Sequence, residues 1–179
     1  QEKLTTLDCH DIICHIADAV LSGGIRRSAL ISLFDKDDDL MLRCKTGEWF
    51  YDNPQRGRAN NSIKLLKSEL TREEFYSYKD SIKQFGEPGI VLVDDIDFCT
   101  NPCGEIGFIP INKKTGKSCI SFCNLNEING AYCTTTAKFY EACRNASILG
   151  TLQASYTNMP FLGLDTKELI EEEALIGVS

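Results

Sequence analysis

Gly89-Ile90-Val91-Leu92-Val93-Asp94 is the stretch that decides the fold class of this chain. Such a short and almost wholly apolar run is typical of a strand that is buried on both faces of a parallel sheet. Parallel strands of this kind alternate with helices in α/β proteins. The strand leads into a loop at Asn101-Pro102-Cys103-Gly104-Glu105. We therefore predict an α/β fold with largely parallel strands, one of which carries the chain to this loop.

The rest of the chain supplies helices and strands that alternate around this strand. Residues 71–85 form an amphipathic pattern that starts at Thr71, a good N-cap with Glu74 three positions later, and stops at Gly86. A strand is also predicted from Cys119 to Leu125, with Cys119, Ser121 and Cys123 on one face. The remaining predictions are helices over residues 8–22, 136–155 and 165–174, a helix start in the acidic run 35–39, and strands over residues 29–34 and near 58–63.

Length and composition predict one globular domain over residues 1–179, without an internal boundary. A net charge of -7 argues against nucleic acid as a partner, because phosphate backbones are bound by basic surfaces. No apolar run approaches the roughly 20 residues that span a membrane, and no secretory signal opens the sequence. Nine cysteines in this setting indicate thiols, metal ligands or redox groups rather than a disulfide framework. We expect a cytoplasmic protein, or one in the host cytoplasm if a virus encodes it.

The loop at 101–105 combines unusual backbone and chemical features. Pro102 fixes one backbone dihedral and Gly104 frees another, so Cys103 is held on a tight, projecting turn. If the segment is extended, Asn101, Cys103 and Glu105 point to the same side, because side chains alternate along a strand. An amide, a thiol and a carboxylate would then face one ligand.

The cysteines allow three interpretations. Cys99, Cys103, Cys119 and Cys123 form two pairs, each with three intervening residues, which could bind zinc as a four-cysteine binding module without catalysis. Alternatively, Cys103 and Cys123 face one pocket as redox thiols, with Glu105 as the proton donor or acceptor. Purely structural cysteines are the third interpretation. Cys103 fits that third interpretation poorly, because it lies between proline and glycine.

Two stretches near the N-terminus could each bind a ligand or could have a purely structural role. Cys9, His10, Cys14 and His15 could suggest a metal site, but their spacing favours a helix with buried thiols and partly exposed imidazoles. The glycines and arginines of Gly23-Gly24-Ile25-Arg26-Arg27-Ser28 form either a loop that contacts phosphate or a base edge, or an ordinary solvated turn. The sequence thus predicts no metal site here.

An ordered set of motifs resembles the large, catalytic subunit of ribonucleotide reductase. The central pair is Asn101-Pro102-Cys103-Gly104-Glu105-Ile106 with Cys123-Asn124-Leu125. The other matching stretches are Gly24-Ile25-Arg26-Arg27-Ser28-Ala29, Asn53-Pro54-Gln55-Arg56, Asn60-Asn61-Ser62 and Ile176-Gly177-Val178-Ser179. The resemblance covers essentially the whole chain, as the central portion of a longer family member. It implies part of a ten-stranded α/β barrel with a central finger loop that carries Cys103.

The resemblance also implies a role for each catalytic candidate. Cys103 becomes a thiyl radical that removes the ribose C3′ hydrogen, Glu105 exchanges a proton with the 3′-hydroxyl, and Asn101 hydrogen-bonds the ribose hydroxyls. Cys123 provides one thiol of the dithiol that reduces the substrate to a 2′-deoxyribonucleotide for DNA synthesis. The stretch with Gly23, Gly24, Arg26 and Arg27 resembles the loop that links a bound nucleotide effector to substrate choice.

Cofactor and partners follow from the same resemblance. Pro102 and Gly104 resemble the adenosylcobalamin-dependent class more than the class that uses a separate metal-radical subunit. The expected partners are a ribonucleoside di- or triphosphate, a nucleotide effector, a reductant of the thioredoxin or glutaredoxin type, and the remaining parts of the same polypeptide. The partner thiol of Cys123 would precede residue 1 and the substrate-phosphate loop would follow Ser179. This chain alone is therefore expected to be catalytically incomplete.

Overall fold

The computed structural model describes residues 3–20 and 28–179, and these form two compact units. The first unit extends to Ile96 and the second begins at Asp97. Gly23, Gly24, Arg26 and Arg27, the predicted effector loop, lie outside the described residues. No described helix has the length and apolar character needed to cross a membrane.

The first unit contains a three-stranded parallel sheet with the order β1-β2-β3, which confirms the predicted α/β class with parallel strands. Leu33 pairs with Ser62 and Ser62 with Gly89, so the matching 60–62 stretch lies on the central strand. Its elements are α1 (Thr6–Ala19), β1 (Leu30–Asp35), α2 (Asp39–Arg43), α3 (Trp49–Asp52), a 3-10 helix (Pro54–Arg58), β2 (Ala59–Leu66), α4 (Arg72–Ser77), α5 (Lys79–Phe85) and β3 (Gly89–Val93).

The core of the first unit lies where the central strand meets α2. Ile63 is fully buried, and Leu65, Phe34, Met41 and Cys44 pack around it. Ala59, Ile63 and Leu65 are buried at alternate positions of β2, which explains why this segment forms a strand, because these side chains remove apolar surface from water on one face. The acidic run before α2 does start a helix, since the Asp38 side chain accepts a hydrogen bond from the Met41 amide.

The N-terminal helix packs differently from its apolar pattern. His10, Cys14 and Ala17 are buried, whereas Ile12 and Ile13 are about half exposed. His10 can occupy the interior because Nδ1 lies 2.8 Å from Ser32 Oγ and Nε2 lies 3.5 Å from Cys14 Sγ. Burial raises the pKa of the Cys14 thiol to about 11. The expectation of a partly exposed imidazole was therefore wrong for His10, and the Cys14 thiol is protonated and structural.

The helix predicted over residues 71–85 is confirmed in part. This segment forms two helices, Arg72–Ser77 and Lys79–Phe85, which are separated by Tyr78. The Thr71 side chain accepts a hydrogen bond from the Glu74 amide, as an N-cap should. Gly86 ends α5 in the left-handed conformation, with φ of 76°, which glycine adopts without steric cost. Start and end were predictable, whereas the interruption at Tyr78 was not.

The second unit consists of short strands joined by two longer helices. Its elements are β4 (Cys99–Thr100), β5 (Gly107–Phe108), β6 (Asn124–Asn126), a 3-10 helix (Gly130–Tyr132), α6 (Thr136–Ala154), α7 (Leu164–Glu173) and β7 (Ile176–Val178). β4 and β5 pair as an antiparallel hairpin, and β6 and β7 pair in parallel. The predicted strand from Cys119 to Leu125 was wrong over its first five residues, because only Asn124–Asn126 pairs with a neighbouring strand.

Candidate functional site

A short hairpin presents Cys103. Cys99 pairs with Phe108 and Thr100 with Gly107, and residues 101–106 form the connecting loop. The loop is closed at its base by the Asn101 amide, which donates to the Ile106 carbonyl at 3.2 Å. The Gly104 amide donates to the Asn101 carbonyl at 3.0 Å, and Gly104 has φ of 83°. Cys103 is exposed on this tight turn, so its thiol is accessible within the second unit.

The Asn101 side chain braces the loop from inside. Only 7% of Asn101 is exposed. Its Oδ1 accepts from the Ile106 amide at 3.1 Å, and its Nδ2 donates to Glu105 Oε1 at 2.6 Å. The same Nδ2 lies 3.8 Å from Cys123 Sγ, within the range for a hydrogen bond to sulfur. One amide therefore brings the carboxylate of the loop and the second thiol together.

The electrostatics of Cys123 reflect this neighbourhood. Partial burial is the main reason that the pKa of its thiol is raised, and the negative charge of Glu105 raises it further. Cys103 also contributes to the increase, whereas the hydrogen bond from Asn101 opposes it. The thiol of Cys123 is therefore kept protonated, which suits a group that donates hydrogen rather than a thiolate nucleophile.

The segment with Cys123 is held by the pairing of β6 with β7. Asn124 is buried, and its backbone amide and side-chain Nδ2 both donate to the Leu175 carbonyl, at 3.3 and 2.9 Å. Leu125 is then in register with Gly177. This arrangement fixes the residue after Cys123 on a strand. Cys123 itself precedes that strand and is exposed as a whole, so the burial that raises the pKa of its thiol is only partial.

Gly177 allows the loop base to lie against this strand pair. A Cβ atom at Gly177 would be 2.5 Å from Ile106 Cδ1 and 3.1 Å from Leu125 Cδ1. Only a residue without a side chain leaves room for this packing. Ile106 is buried, and its amide is the one that Asn101 holds. Sequence reasoning gave Ile106 and Gly177 no structural role, although a glycine inside an apolar run can indicate close packing.

The four cysteines of the zinc interpretation do not converge. Cys99 Sγ donates to the Asp97 carbonyl at 3.6 Å, and Cys119 Sγ donates to the Lys117 carbonyl at 3.3 Å. Across residues 3–20 and 28–179, no three His, Cys, Asp or Glu side chains are arranged to hold a metal ion. The geometry thus counts against the four-cysteine module and brings Cys123 together with Asn101 and Glu105 instead.

The groove beside Cys123 has a volume of about 350 Å³ and is lined by Phe122, Tyr156 and Met159 among others. That volume is near the lower end of the range for drug-sized ligands, and a corrin ring with its side chains is much larger. This groove alone therefore does not hold adenosylcobalamin, and a site for that cofactor needs further parts of the protein.

Comparison with known proteins gives a consistent set of relatives. The adenosylcobalamin-dependent ribonucleoside-triphosphate reductase of Levilactobacillus brevis is 33% identical over 122 residues, which cover 58% of this chain and 16% of that protein. The corresponding reductase of Lactobacillus helveticus is 32% identical over 127 residues, covering 59% of this chain and 16% of the relative. A putative reductase of the same name from Mycobacterium phage D29 is 28% identical over 161 residues, covering 75% of this chain and 21% of the relative.

The matches cover more than half of this chain but only a small part of each relative. No family model and no solved structure gives a significant match. The chain spans about a sixth of the length of the two bacterial relatives. The relatives carry the same name as the family that the motifs resemble. These matches confirm the resemblance and identify the chain as a homologue of the adenosylcobalamin-dependent ribonucleoside-triphosphate reductases.

Proposed function

We propose that this chain supplies the reaction loop of a ribonucleotide reductase that converts ribonucleoside triphosphates into 2′-deoxyribonucleotides. The observation that carries the proposal is the Asn101 side chain, which binds Glu105 at 2.6 Å and lies 3.8 Å from Cys123 below the turn with Cys103. The chemistry needs a sulfur radical, an acid/base group and a reducing thiol around one ribose. The names of the relatives support a triphosphate substrate.

Cys103 is the proposed site of hydrogen abstraction. Its exposed position on a turn fixed by Pro102 and Gly104 allows a ribose to approach the sulfur with little movement of the loop. As a thiyl radical, Cys103 takes the hydrogen atom from C3′ and becomes a thiol, and it returns that atom at the end of the cycle. The finger loop of a ten-stranded barrel is the proposed setting.

Glu105 and Cys123 are the proposed partners in loss of the 2′-hydroxyl. Glu105 accepts the proton of the 3′-hydroxyl, and the C2′–O bond breaks as a thiol proton joins the leaving hydroxyl to form water. Cys123 and a second thiol from outside this chain give up two hydrogen atoms in all, one to that water and one to C2′, and become one disulfide. Glu105 returns its proton when the 3′-hydroxyl is restored. The raised pKa of Cys123 keeps the hydrogen on sulfur until this step. A dithiol protein of the thioredoxin or glutaredoxin type would then reduce the disulfide.

Asn101 is proposed mainly as a positioning residue. Both ends of its amide are already used, by the Ile106 amide on one side and by Glu105 and Cys123 on the other. A ribose hydroxyl can reach this amide by donating to the second lone pair of Oδ1, whereas accepting from Nδ2 requires that Nδ2 be released from Glu105 or Cys123. Asn101 therefore sets the distance between acid and thiol before substrate binds.

In the proposed enzyme, parts of the protein outside this chain complete the site of the radical-generating cofactor. The names of the relatives support adenosylcobalamin as the cofactor that, when bound, generates the radical. By resemblance, the stretch with Gly23, Gly24, Arg26 and Arg27 is the proposed loop that links a bound nucleotide effector to substrate choice.

The decisive test is substitution of Cys103 in the full-length reductase that contains this chain. Cys103→Ala should abolish deoxynucleotide formation while nucleotide binding is retained. The matched control is Cys119→Ala, because Cys119 also lies in the second unit and its thiol donates to the Lys117 carbonyl instead of facing Asn101 and Glu105. Turnover by Cys103→Ala, or an equal loss in both variants, would refute the proposal.

A further inference from the structure

The first unit contains a small polar cavity that is separate from the Cys103 loop. It has a volume of about 10 Å³ and is lined by Cys44, Lys45, Asn61 and Glu87 together with apolar side chains. A space of this size holds about one water molecule. We propose that the cavity is a binding site for a single internal water that completes a hydrogen-bond network across the first unit.

Two buried oxygen atoms around the cavity have no partner within the protein. Asn61 is only 2% exposed, and its Nδ2 donates to Cys44 Sγ at 2.9 Å, but its Oδ1 accepts no hydrogen bond. Glu87 Oε2 is also buried without a partner, although Glu87 Oε1 accepts from Lys45. Buried polar atoms in folded proteins are nearly always hydrogen-bonded to protein or to ordered water. Both oxygens need a donor, and a water molecule has two.

Lys45 supplies the third contact that an internal water needs. Its side chain is 6% exposed, and its ammonium donates to the Ala59 carbonyl and, at 2.7 Å, to Glu87 Oε1. An ammonium group has three donors, so one remains beyond the two that bind oxygen, and Nζ also lies 5.4 Å from the centre of the Trp49 ring. A water that accepts from Lys45 and donates to Asn61 and Glu87 would make three hydrogen bonds, the usual number for a buried water.

The charges around the cavity select water over an ion. Lys45 and Glu87 already form an ion pair, so the local charge is balanced. A cation would be repelled by the Lys45 ammonium, and an anion would meet the Glu87 carboxylate and the Asn61 oxygen. A neutral ligand with two donors and one acceptor satisfies every group.

The bound water would connect three elements of the first unit. Asn61 lies on the central strand β2, Lys45 follows α2, and Glu87 precedes β3. The chain of contacts from Cys44 through Asn61, water and Glu87 to Lys45 would fix the turn before β3 relative to the centre of the sheet. The water would therefore give Asn61, in the Asn60-Asn61-Ser62 stretch, a structural role that is independent of catalysis.

The test is a crystal structure of the full-length protein in which buried waters are individually defined. We expect one density peak within hydrogen-bond distance of Asn61 Oδ1, Glu87 Oε2 and Lys45 Nζ. The absence of that peak would overturn the inference. A rotated Asn61 amide that donates directly to Glu87 would also overturn it, since the cavity would then need no water.

Two substitutions on strand β2 provide a second test of the proposed water site. Asn61→Leu should remove the peak, because it deletes one acceptor and makes the cavity less polar. Asn60→Leu is the matched control, because Asn60 is exposed on the same strand, and it should keep the peak. Persistence of the water in Asn61→Leu would contradict the site. If Asn61→Leu does not fold, the density in the unsubstituted protein still decides.

Discussion

Asn101 Nδ2 lies 2.6 Å from Glu105 Oε1, across the turn that exposes Cys103. The same atom lies 3.8 Å from Cys123 Sγ, so one buried amide sets the spacing between an acid and a thiol. Hydrogen bonds to a charged acceptor are shorter and stronger than neutral ones, which makes this contact the main fixed point of the loop.

Removing the Asn101 amide should loosen the loop. In Asn101→Leu, the buried Ile106 amide loses its acceptor and Glu105 loses its donor, at a cost of about 1–3 kcal/mol. We expect the Ile106 amide to exchange its hydrogen about tenfold or more faster, measured by hydrogen exchange with mass spectrometry. Asn101→Asp is the matched variant: it keeps an acceptor for Ile106 but places a second carboxylate beside Glu105. Unchanged exchange in Asn101→Leu would show that the amide does not brace the loop.

The protonation of Cys123 gives a pH-dependent prediction. Since burial and then Glu105 raise the pKa of its thiol, the thiolate forms only above the usual range of about 8.5. Alkylation of Cys123 by iodoacetamide should therefore still accelerate with pH where an ordinary cysteine has reached its plateau. Glu105→Gln removes a negative charge, so it should lower the pKa and raise the alkylation rate at pH 8. Peptide-level mass spectrometry measures both, and a profile that Glu105→Gln leaves unchanged would contradict this electrostatic coupling.

The pair of Arg56 and Asp11 should stabilise the first unit. Arg56 is 9% exposed and donates Nε and Nη2 to the two carboxylate oxygens of Asp11, at 2.7 and 2.6 Å. Asp11→Asn leaves the guanidinium largely buried without its counter-charge, so we expect a loss of about 3 kcal/mol in the free energy of unfolding at pH 7. Urea unfolding followed by circular dichroism measures the change.

The same pair has a defined pH dependence and a control. The hydrogen bond from Arg56 lowers the pKa of Asp11, so its stabilisation is complete above the unfolded value of about 3.9 and is lost as the pH falls through the lower folded value. The difference between Asp11→Asn and the unsubstituted chain should shrink over that acid range. Asp18→Asn breaks the more exposed pair with Arg58 and should cost less than about 1 kcal/mol. Equal losses for both variants would contradict the assignment.

Gly177→Ala should disturb the support of the loop. The added methyl group would lie 2.5 Å from Ile106 Cδ1, so Ile106 or strand β7 must move, at a cost of about 1–3 kcal/mol. We expect a lower unfolding midpoint in urea and, in the full-length protein, reduced turnover. Gly130→Ala is the control, because a Cβ atom there meets no atom within 4 Å. A Gly177→Ala protein with unchanged stability would show that this close approach is not required.

The sequence was most informative where one local signal dominated. The apolar run at Gly89–Val93 formed a parallel strand, and the caps at Thr71 and Gly86 began and ended helical segments where expected. The prediction that this strand is buried on both faces was wrong, because only Val93 is buried and Leu92 is 45% exposed. The face of α1 that is buried was not predictable, because His10 is stabilised inside by Ser32, a residue on a separate strand. Periodicity records apolar side chains but not the hydrogen bonds that let polar ones enter a core.

The site was predictable in composition but not in geometry. The chemistry of Cys103, Glu105 and Cys123 could be inferred from residue types, and their catalytic roles stay predictions. The expected alternation from Cys119 to Cys123 was wrong, because strand pairing begins only at Asn124, where the Leu175 carbonyl provides a partner. Contacts between residues about 50 positions apart decide this local structure, and no local pattern contains them.

The central claim is that one ribose binds between Cys103, Glu105 and Cys123. A crystal structure of the full-length reductase with a ribonucleoside triphosphate tests it most directly. We expect the ribose C3′ atom to contact Cys103 Sγ at about 3–3.5 Å, with the 3′-hydroxyl on Glu105 and the 2′ side facing Cys123. A ribose bound away from this loop, or a Cys103 sulfur directed away from the sugar, would contradict it.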